Sequence, residues 1–91
     1  MRIWFKEWKD GRLLRDTVIE DNSEETRTHK VFGALTRACG ELDLAQPIWL
    51  DKTVEDFRRH SRCRFTADAF VEEIPFDYLE MHVIEEDGWA F

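Results

Sequence analysis

The sequence is poor in residues that interrupt or cross-link a chain. Its 91 residues include two prolines, four glycines and two cysteines, and no apolar run approaches the roughly 20 residues that span a bilayer. Two cysteines are too few for a disulfide framework, so we expect a reduced, cytoplasmic setting in which Cys39 and Cys63 are small buried apolar groups. Charge follows the apolar residues 3–5, so we expect no secretion signal in these residues. These features predict one domain, residues 1–91, that does not bind a membrane.

Basic side chains are missing from the last third of the chain. All 13 lysines and arginines lie in residues 1–64, whereas residues 65–91 contain eight of the 20 acidic side chains. The whole chain has a net charge of −7. A protein that binds nucleic acid through its phosphates needs clustered Lys and Arg, so we expect no direct nucleic-acid binding. The last third instead predicts an anionic surface attached to a nearly neutral body.

The apolar content is sufficient for one modest core, since 43% of the residues are hydrophobic and 13% are aromatic. The pair Asp10-Gly11 is favoured in two-residue type I′ turns and predicts a β-hairpin of residues 4–8 and 13–19. The cross-strand pairs predicted from that turn are Trp8 with Leu13, Lys6 with Arg15 and Trp4 with Thr17.

The predicted hairpin has two different faces. We assign to the core the face that carries Ile3, Phe5, Leu14 and Val18. The other face is amphipathic, because its basic stems can lie across the indole rings. That second face carries Trp4, Trp8, Leu13 and Ile19 together with Arg2, Lys6 and Arg15.

The middle of the chain predicts a helix followed by a short strand. Residues 22–25, Asn-Ser-Glu-Glu, supply a capping side chain and two carboxylates for a first helix turn. The apolar positions that recur at helical spacing are Val31, Phe32, Leu35, Ala38, Cys39 and Leu42. The proline-led run at 47–50 predicts a short strand, and we assign its Trp49 to the core.

Two further helices and a last strand are predicted after residue 50. Thr53 with Asp56 predicts the cap of a second helix with Val54, Phe57 and His60 inward. Phe65 with Phe70 predicts a hydrophobic staple at the start of a third, short helix that ends near residue 73. Residues 76–84 alternate as a strand inside a sheet does, with Leu79, Met81 and Val83 on one face and Tyr78, His82 and Ile84 on the other.

This element order, β-β-α-β-α-α-β, indicates an α+β fold. We expect the N-terminal β-hairpin and the two further strands to form a small mixed sheet. Two to three helices would then cover one face of that sheet.

The residue pattern gives no strong sign of a metal or catalytic site. His60 and Cys63 share a helical spacing, and Cys39 or His82 would have to complete a ligand set, but zinc sites usually show paired short spacings. A buried thiol beside a partly exposed histidine is the simpler interpretation. We therefore predict no metal, no cofactor and no catalytic residue.

A basic cluster is the one candidate anion site. Arg58, Arg59 and Arg62 lie close together with Arg64 around His60, and guanidinium groups bind phosphate or carboxylate well. The alternative interpretation is a basic helix end that opposes the negative pole of the helix dipole and pairs with the acidic last third. We favour that alternative.

The tryptophans suggest an interaction surface. Four tryptophans in 91 residues are too many to bury completely in a small core. Tryptophan beside arginine is typical of the residues that anchor protein interfaces. The leading hypothesis is a non-enzymatic, acidic interaction module that binds a protein partner or itself through the hairpin and the acidic end. The candidate interaction residues are Trp4, Trp8, Arg15, Glu85, Glu86, Asp87 and Trp89.

Two other function classes stay open. In the first, surface carboxylates imitate phosphates, which makes the protein a nucleic-acid-mimicking or anti-defence inhibitor whose binding depends on salt. In the second, the cluster from Arg58 to Arg64 serves a small enzyme or a binder of anionic ligands, which requires a concave pocket.

Three stretches also carry a resemblance. They are Thr26-Arg27-Thr28-His29-Lys30-Val31-Phe32, Pro47-Ile48-Trp49-Leu50-Asp51 and Val83-Ile84-Glu85-Glu86-Asp87. Together they resemble small hypothetical proteins of anaerobic Gram-positive bacteria, to which no activity is assigned. The resemblance implies a bacterial, cytosolic, stand-alone domain and assigns no role to any residue.

Overall fold

A four-stranded antiparallel sheet with two helices forms the structure, a computed structural model that describes residues 1–87. The elements of these residues are β1 (Arg2–Lys9), β2 (Arg12–Glu20), α1 (Arg27–Glu41), α2 (Asp51–His60), β3 (Arg62–Thr66) and β4 (Tyr78–Glu85). The strands lie in the order β2-β1-β4-β3, and all three neighbouring pairs are antiparallel. The α+β class is confirmed, but the expected mixed sheet and the expected element order are wrong. In the described part of the chain, neither helix is long and apolar enough to cross a membrane.

The Asp10–Gly11 turn forms as predicted, with positive φ angles of 51° and 75° that suit a type I′ turn. Trp8 lies opposite Leu13, as expected. A bulge between Glu7 and Trp8 then shifts the register by one residue. The observed pairs beyond it are therefore Lys6 with Asp16 and Trp4 with Val18, not with Arg15 and Thr17.

The bulge also exchanges the two faces of β2. Because side chains alternate along a strand, a shift of one residue turns each of them to the other side. Ile19 lies opposite Ile3 in the core and is only 2% exposed. Leu14 and Val18, which were assigned to the core, are exposed. The core assignment is thus correct for β1 and wrong for β2.

Helix α1 begins later than the sequence predicts. Thr26, not a residue of 22–25, is the N-cap, and its side chain accepts a hydrogen bond from the backbone nitrogen of His29. The serine at 23 is held in a turn instead, because its backbone nitrogen donates to the Asp21 carboxylate. Of the predicted apolar positions only Phe32 is exposed; Val31, Leu35, Ala38, Cys39 and Leu42 are buried.

The segment between residues 47 and 73 differs most from expectation. Residues 47–50 form no strand, and α2 begins at Asp51 without a capping side chain. Ser61 adopts a left-handed conformation that ends α2, and β3 starts directly after it. The expected third helix is only one 3₁₀ turn, Ala67–Ala69. The third strand of the chain is therefore Arg62–Thr66.

Both helices cover the same face of the sheet. Helix α1 lies against β1 and β2, whereas α2 lies against β3. The sheet side chains that meet them in one buried cluster are Ile3, Phe5, Ile19, Cys63, Phe65, Leu79, Met81 and Val83. The helices therefore leave the other face of the sheet uncovered within the described residues.

Candidate functional site

The uncovered side of the sheet, called the open face below, is the candidate site. It combines aromatic rings with charged groups, all placed there by the strand register. Its central members are Trp4, Lys6 and Trp8 on β1, Tyr78, Glu80 and His82 on β4, Arg62 and Arg64 on β3, and Asp16 and Val18 on β2.

An ion pair occupies the centre of the open face. Lys6 lies directly opposite Glu80, and its Nζ is 3.1 Å from Glu80 Oε1. Each residue is only 7% exposed, although no helix covers them. Neighbouring rings therefore shield the pair from water. Burial of either charge without the other would be unfavourable, so the two groups depend on each other at this position.

Two tryptophans flank this pair, and charged groups of the open face hold both of them. The Lys6 ammonium lies 3.9 Å from the centre of the Trp4 ring, which is a cation–π distance. Trp4 Nε1 donates to Asp16 at 2.8 Å, and Trp8 Nε1 donates to Glu80 at 2.9 Å. Both indole N–H groups thus have acceptors, which holds the rings in defined orientations.

The β3 edge of the open face adds two guanidinium groups. Arg62 Nε is 3.3 Å from Glu80 Oε2, and an Arg62 nitrogen lies 3.2 Å from the His82 ring. The Arg64 guanidinium lies 4.6 Å from the centre of the Tyr78 ring. Guanidinium groups on aromatic rings lose little entropy when a partner binds, since they are already ordered.

Two pKa values of the open face are lowered, those of Glu80 and His82. Burial raises the pKa of Glu80, but hydrogen bonds from Trp8 and Lys6 outweigh it, so the pKa lies below its ordinary value and the carboxylate stays charged. Burial and the nearby Arg62 charge lower the pKa of His82. The His82 ring is therefore neutral at pH 7 and accepts a hydrogen bond from Arg62.

Of the predicted interaction residues, the structure brings together Trp4 and Trp8. Arg15 was expected on the same face, but the bulge turns it to the helical side. There it donates to the Glu7 carboxylate at 3.0 Å and to the Leu42 carbonyl at 2.7 Å. Arg15 thus connects β2 to the end of α1 through this hydrogen bond to Leu42. Trp89 lies outside the described residues.

The acidic end of the chain lies away from the open face. Asp87 binds the Met1 amino group at 3.0 Å and Lys30 Nζ at 3.1 Å, and Glu86 binds Arg27 at 2.9 Å. Hydrogen bonds from these partners lower the pKa of both Asp87 and Glu86. Glu85 is exposed at the end of β4. Two of the three carboxylates therefore join the end of β4 to α1 and to the start of the chain.

The predicted anion cluster is divided between two sides of the molecule. Arg59 lies on α2 and pairs with Glu55 at 2.8 Å, whereas Arg62 belongs to the open face. Arg58 is exposed on α2 beside an apolar groove. The side chains of Arg59 and Arg62 therefore do not converge on one ligand.

The histidines and thiols do not converge either. Cys39 and Cys63 are buried on the helical side, and burial raises the pKa of Cys39 to about 11 and that of Cys63 to about 12. His82 lies on the opposite side of the sheet, and His60 is exposed at the end of α2. Among the described residues, no group of three or more potential metal ligands exists.

Sequence reasoning missed most members of the open face outside the hairpin. Tyr78 and His82 were assigned correctly to one side of the last strand, but their position beside Trp8 and Trp4 was not predicted. Arg64 was placed at the end of a helix rather than on a strand. The available signal was the alternation of residues 62–66, in which Cys63 and Phe65 are buried and their neighbours are exposed.

The rings and guanidinium groups of the open face are of the types enriched in protein interfaces, and internal hydrogen bonds and ion pairs already hold them in place. The resemblance to small bacterial proteins stays a prediction. Comparison of the chain with protein families, with curated proteins and with solved structures finds no match.

Proposed function

We propose that this protein is a non-enzymatic interaction module that binds another protein, or a second copy of itself, through the open face of its sheet. The observation that carries this proposal is the preorganised centre of that face, where Lys6 and Asp16 hold Trp4 and Glu80 holds Trp8. Aromatic anchors that are rigid before binding contribute most to affinity, since little side-chain entropy remains to be lost.

The outer parts of the open face support the same function. Val18 on β2 and Ile84 on β4 are about 40% exposed, at 40% and 39%, and add apolar contact area beyond the tryptophans. Arg64 is exposed on β3, where it lies against Tyr78. A centre of rings with charged groups at the margin is the usual anatomy of a protein interface.

Charge reversal at Arg64 tests the proposal with little risk to folding, because Arg64 is exposed. We expect Arg64→Glu to lose the partner, or the oligomer, that the natural chain forms. The measurements are mass in solution by light scattering and quantitative mass spectrometry of proteins retained from cell extract. Arg59→Glu is the matched control, since it makes the same substitution at an exposed arginine of α2.

The double variant Trp4→Ser/Trp8→Ser extends the test to the centre of the face. We expect it to lose the same partner or oligomer as Arg64→Glu while its far-ultraviolet circular dichroism still shows the α+β fold. An unchanged mass together with an unchanged set of retained proteins, in both variants, would contradict the proposal.

The two other hypotheses receive less support from the geometry. A mimic of nucleic acid needs free carboxylates, but Glu80, Glu86 and Asp87 are each bound to cationic groups of the same chain. An enzyme or anion binder built on the arginine cluster needs convergent side chains, whereas Arg59 and Arg62 lie on different faces. Both stay predictions.

A further inference from the structure

An apolar groove lies between α1 and α2, on the helical side of the sheet. It has a volume of about 280 Å³ and is partly open to solvent. Its wall includes Phe32 and Val54, which are 48% and 39% exposed. The residues that line it are Arg27, Thr28, Val31, Phe32, Trp49, Val54, Phe57 and Arg58.

Trp49 gives the groove a rigid aromatic base. Its ring makes edge contacts with Phe32 and Phe57 at 5.8 Å each and with Phe65 at 5.1 Å, measured between ring centroids. Such edge-to-face pairs stabilise one arrangement of the rings. Trp49 Nε1 is buried and has no hydrogen-bond partner within residues 1–87, unlike the indoles of Trp4 and Trp8. The groove is therefore preformed. The indole N–H at its base differs from those of Trp4 and Trp8 because it donates no hydrogen bond within the described residues.

Among the described residues, the lining of the groove carries one basic group without an ion-pair partner, Arg58. This lining contains Arg27 and Arg58 and none of the described acidic residues, although the chain has a net charge of −7. Arg27 binds Glu86 at 2.9 Å. Arg58 is exposed and has no ion-pair partner among the residues that the structure describes. A cationic margin beside an apolar groove complements a ligand that joins an apolar group to a carboxylate.

We propose that this groove binds a short segment of a partner protein in which a bulky apolar residue is flanked by acidic residues. The apolar side chain enters between Phe32 and Val54, above Trp49, and a neighbouring carboxylate pairs with Arg58. The volume suits one or two side chains rather than a whole ligand of drug size. The groove and the open face lie on opposite sides of the sheet and share no residue, so this site is independent of the proposed function.

Labelled peptides test the proposal on the full chain. The probes are fluorescein-labelled peptides with one central Leu, Phe or Trp between two pairs of Glu, and the same peptides with Lys in place of Glu. Fluorescence anisotropy measures their affinity. We expect at least one acidic peptide to bind, and every lysine version to bind at least about tenfold more weakly.

Two matched pairs of variants locate the binding. Arg58→Glu should weaken the acidic peptide at least about tenfold, whereas Arg59→Glu, one position along the same helix, should leave it unchanged. Val54→Ser should weaken it as well, whereas Val71→Ser should not, because Val71 is 85% exposed and lies outside the groove. Circular dichroism of each variant verifies that it is folded.

The indole resonances supply a readout that is independent of affinity. In a ¹H–¹⁵N spectrum, the Trp49 indole signal should shift when the peptide binds, while those of Trp4 and Trp8 stay in place. The proposal is overturned if no acidic peptide binds, if the lysine peptides bind as well, or if the Trp4 and Trp8 signals move instead. A concentration-dependent mass that Val54→Ser abolishes would identify a second copy as the occupant, which also overturns it.

Discussion

The amino group of Lys6 lies 3.1 Å from the carboxylate of Glu80, on a face of the sheet that no described helix covers. The two residues are direct partners across the β1–β4 pairing and are buried by the rings beside them. The same carboxylate accepts a hydrogen bond from Trp8. One ion pair thus joins the two central strands and orients the aromatic surface that we propose to bind a partner.

Replacing Glu80 should therefore destabilise the fold. Glu80→Gln removes the charge that Lys6 and Arg62 face, and we expect it to lower the free energy of unfolding by about 1–3 kcal/mol. Urea denaturation followed by tryptophan fluorescence measures the change. Lys6→Met and the double variant complete a thermodynamic cycle, in which the two single costs should not add because the residues are in contact. Additive costs would contradict the coupling.

Stability should fall at acid pH because of three carboxylates. Hydrogen bonds from their cationic or indole partners hold the pKa of Glu80, Glu86 and Asp87 below the ordinary values of 4.5 for Glu and 3.8 for Asp. Their contribution is therefore fully present above the ordinary pKa and is lost as the pH falls through the lower folded value. Urea midpoints between about pH 3 and pH 7 should show this loss, and Asp87→Asn should reduce it.

His82 should cause a separate loss of stability, at a higher pH than the loss caused by the carboxylates. Its pKa in the folded state is lowered from 6.5 by burial and by Arg62, so the unfolded chain binds a proton more readily than the folded one. Stability therefore falls as the pH decreases below about 6.5, before the carboxylates are protonated. His82→Gln should remove this first phase and leave the acid phase intact. A pH profile that is identical in the variant would contradict the role of His82.

The parts of the fold that depend on local sequence could be predicted. The Asp10–Gly11 turn has a specific requirement for positive φ, and the apolar spacing of α1 has one helical period, so both were found. The bulge beside Trp8 could not be found, because no residue type requires it there. Beyond the bulge, the one extra residue turns the side chains of β2 to the opposite face from the one expected.

The candidate site depends on pairing between strands that are far apart in the chain, which local sequence patterns do not predict. Lys6 and Glu80 are far apart in the chain and meet only because β4 inserts between β1 and β3. The local residue pattern of β1 or β4 does not indicate which strand will pair with it. Trp4 and Trp8 were nevertheless identified, because large aromatic residues that alternate with basic ones indicate a surface whatever strand lies beside them.

The two thiols should be inert in the folded protein. Burial raises the pKa of Cys39 to about 11 and that of Cys63 to about 12, so almost no thiolate exists near pH 8. We expect Ellman's reagent to modify the folded protein on the order of a hundredfold more slowly than the protein in urea. Rapid reaction of either thiol without denaturant would show that it is exposed.

The same substitution at two glycines should have opposite effects on stability. Gly11 has a φ of +75° in the hairpin turn, so Gly11→Ala forces a side chain into the left-handed region and should cost about 1–2 kcal/mol. Gly33 lies inside α1, and a Cβ there would meet no atom within 4 Å. Gly33→Ala should therefore stabilise the protein by about 0.5–1 kcal/mol, because alanine favours the helix and restricts the unfolded chain. Thermal unfolding of the two variants measures both effects, and equal signs would contradict the assigned turn or the open space beside α1.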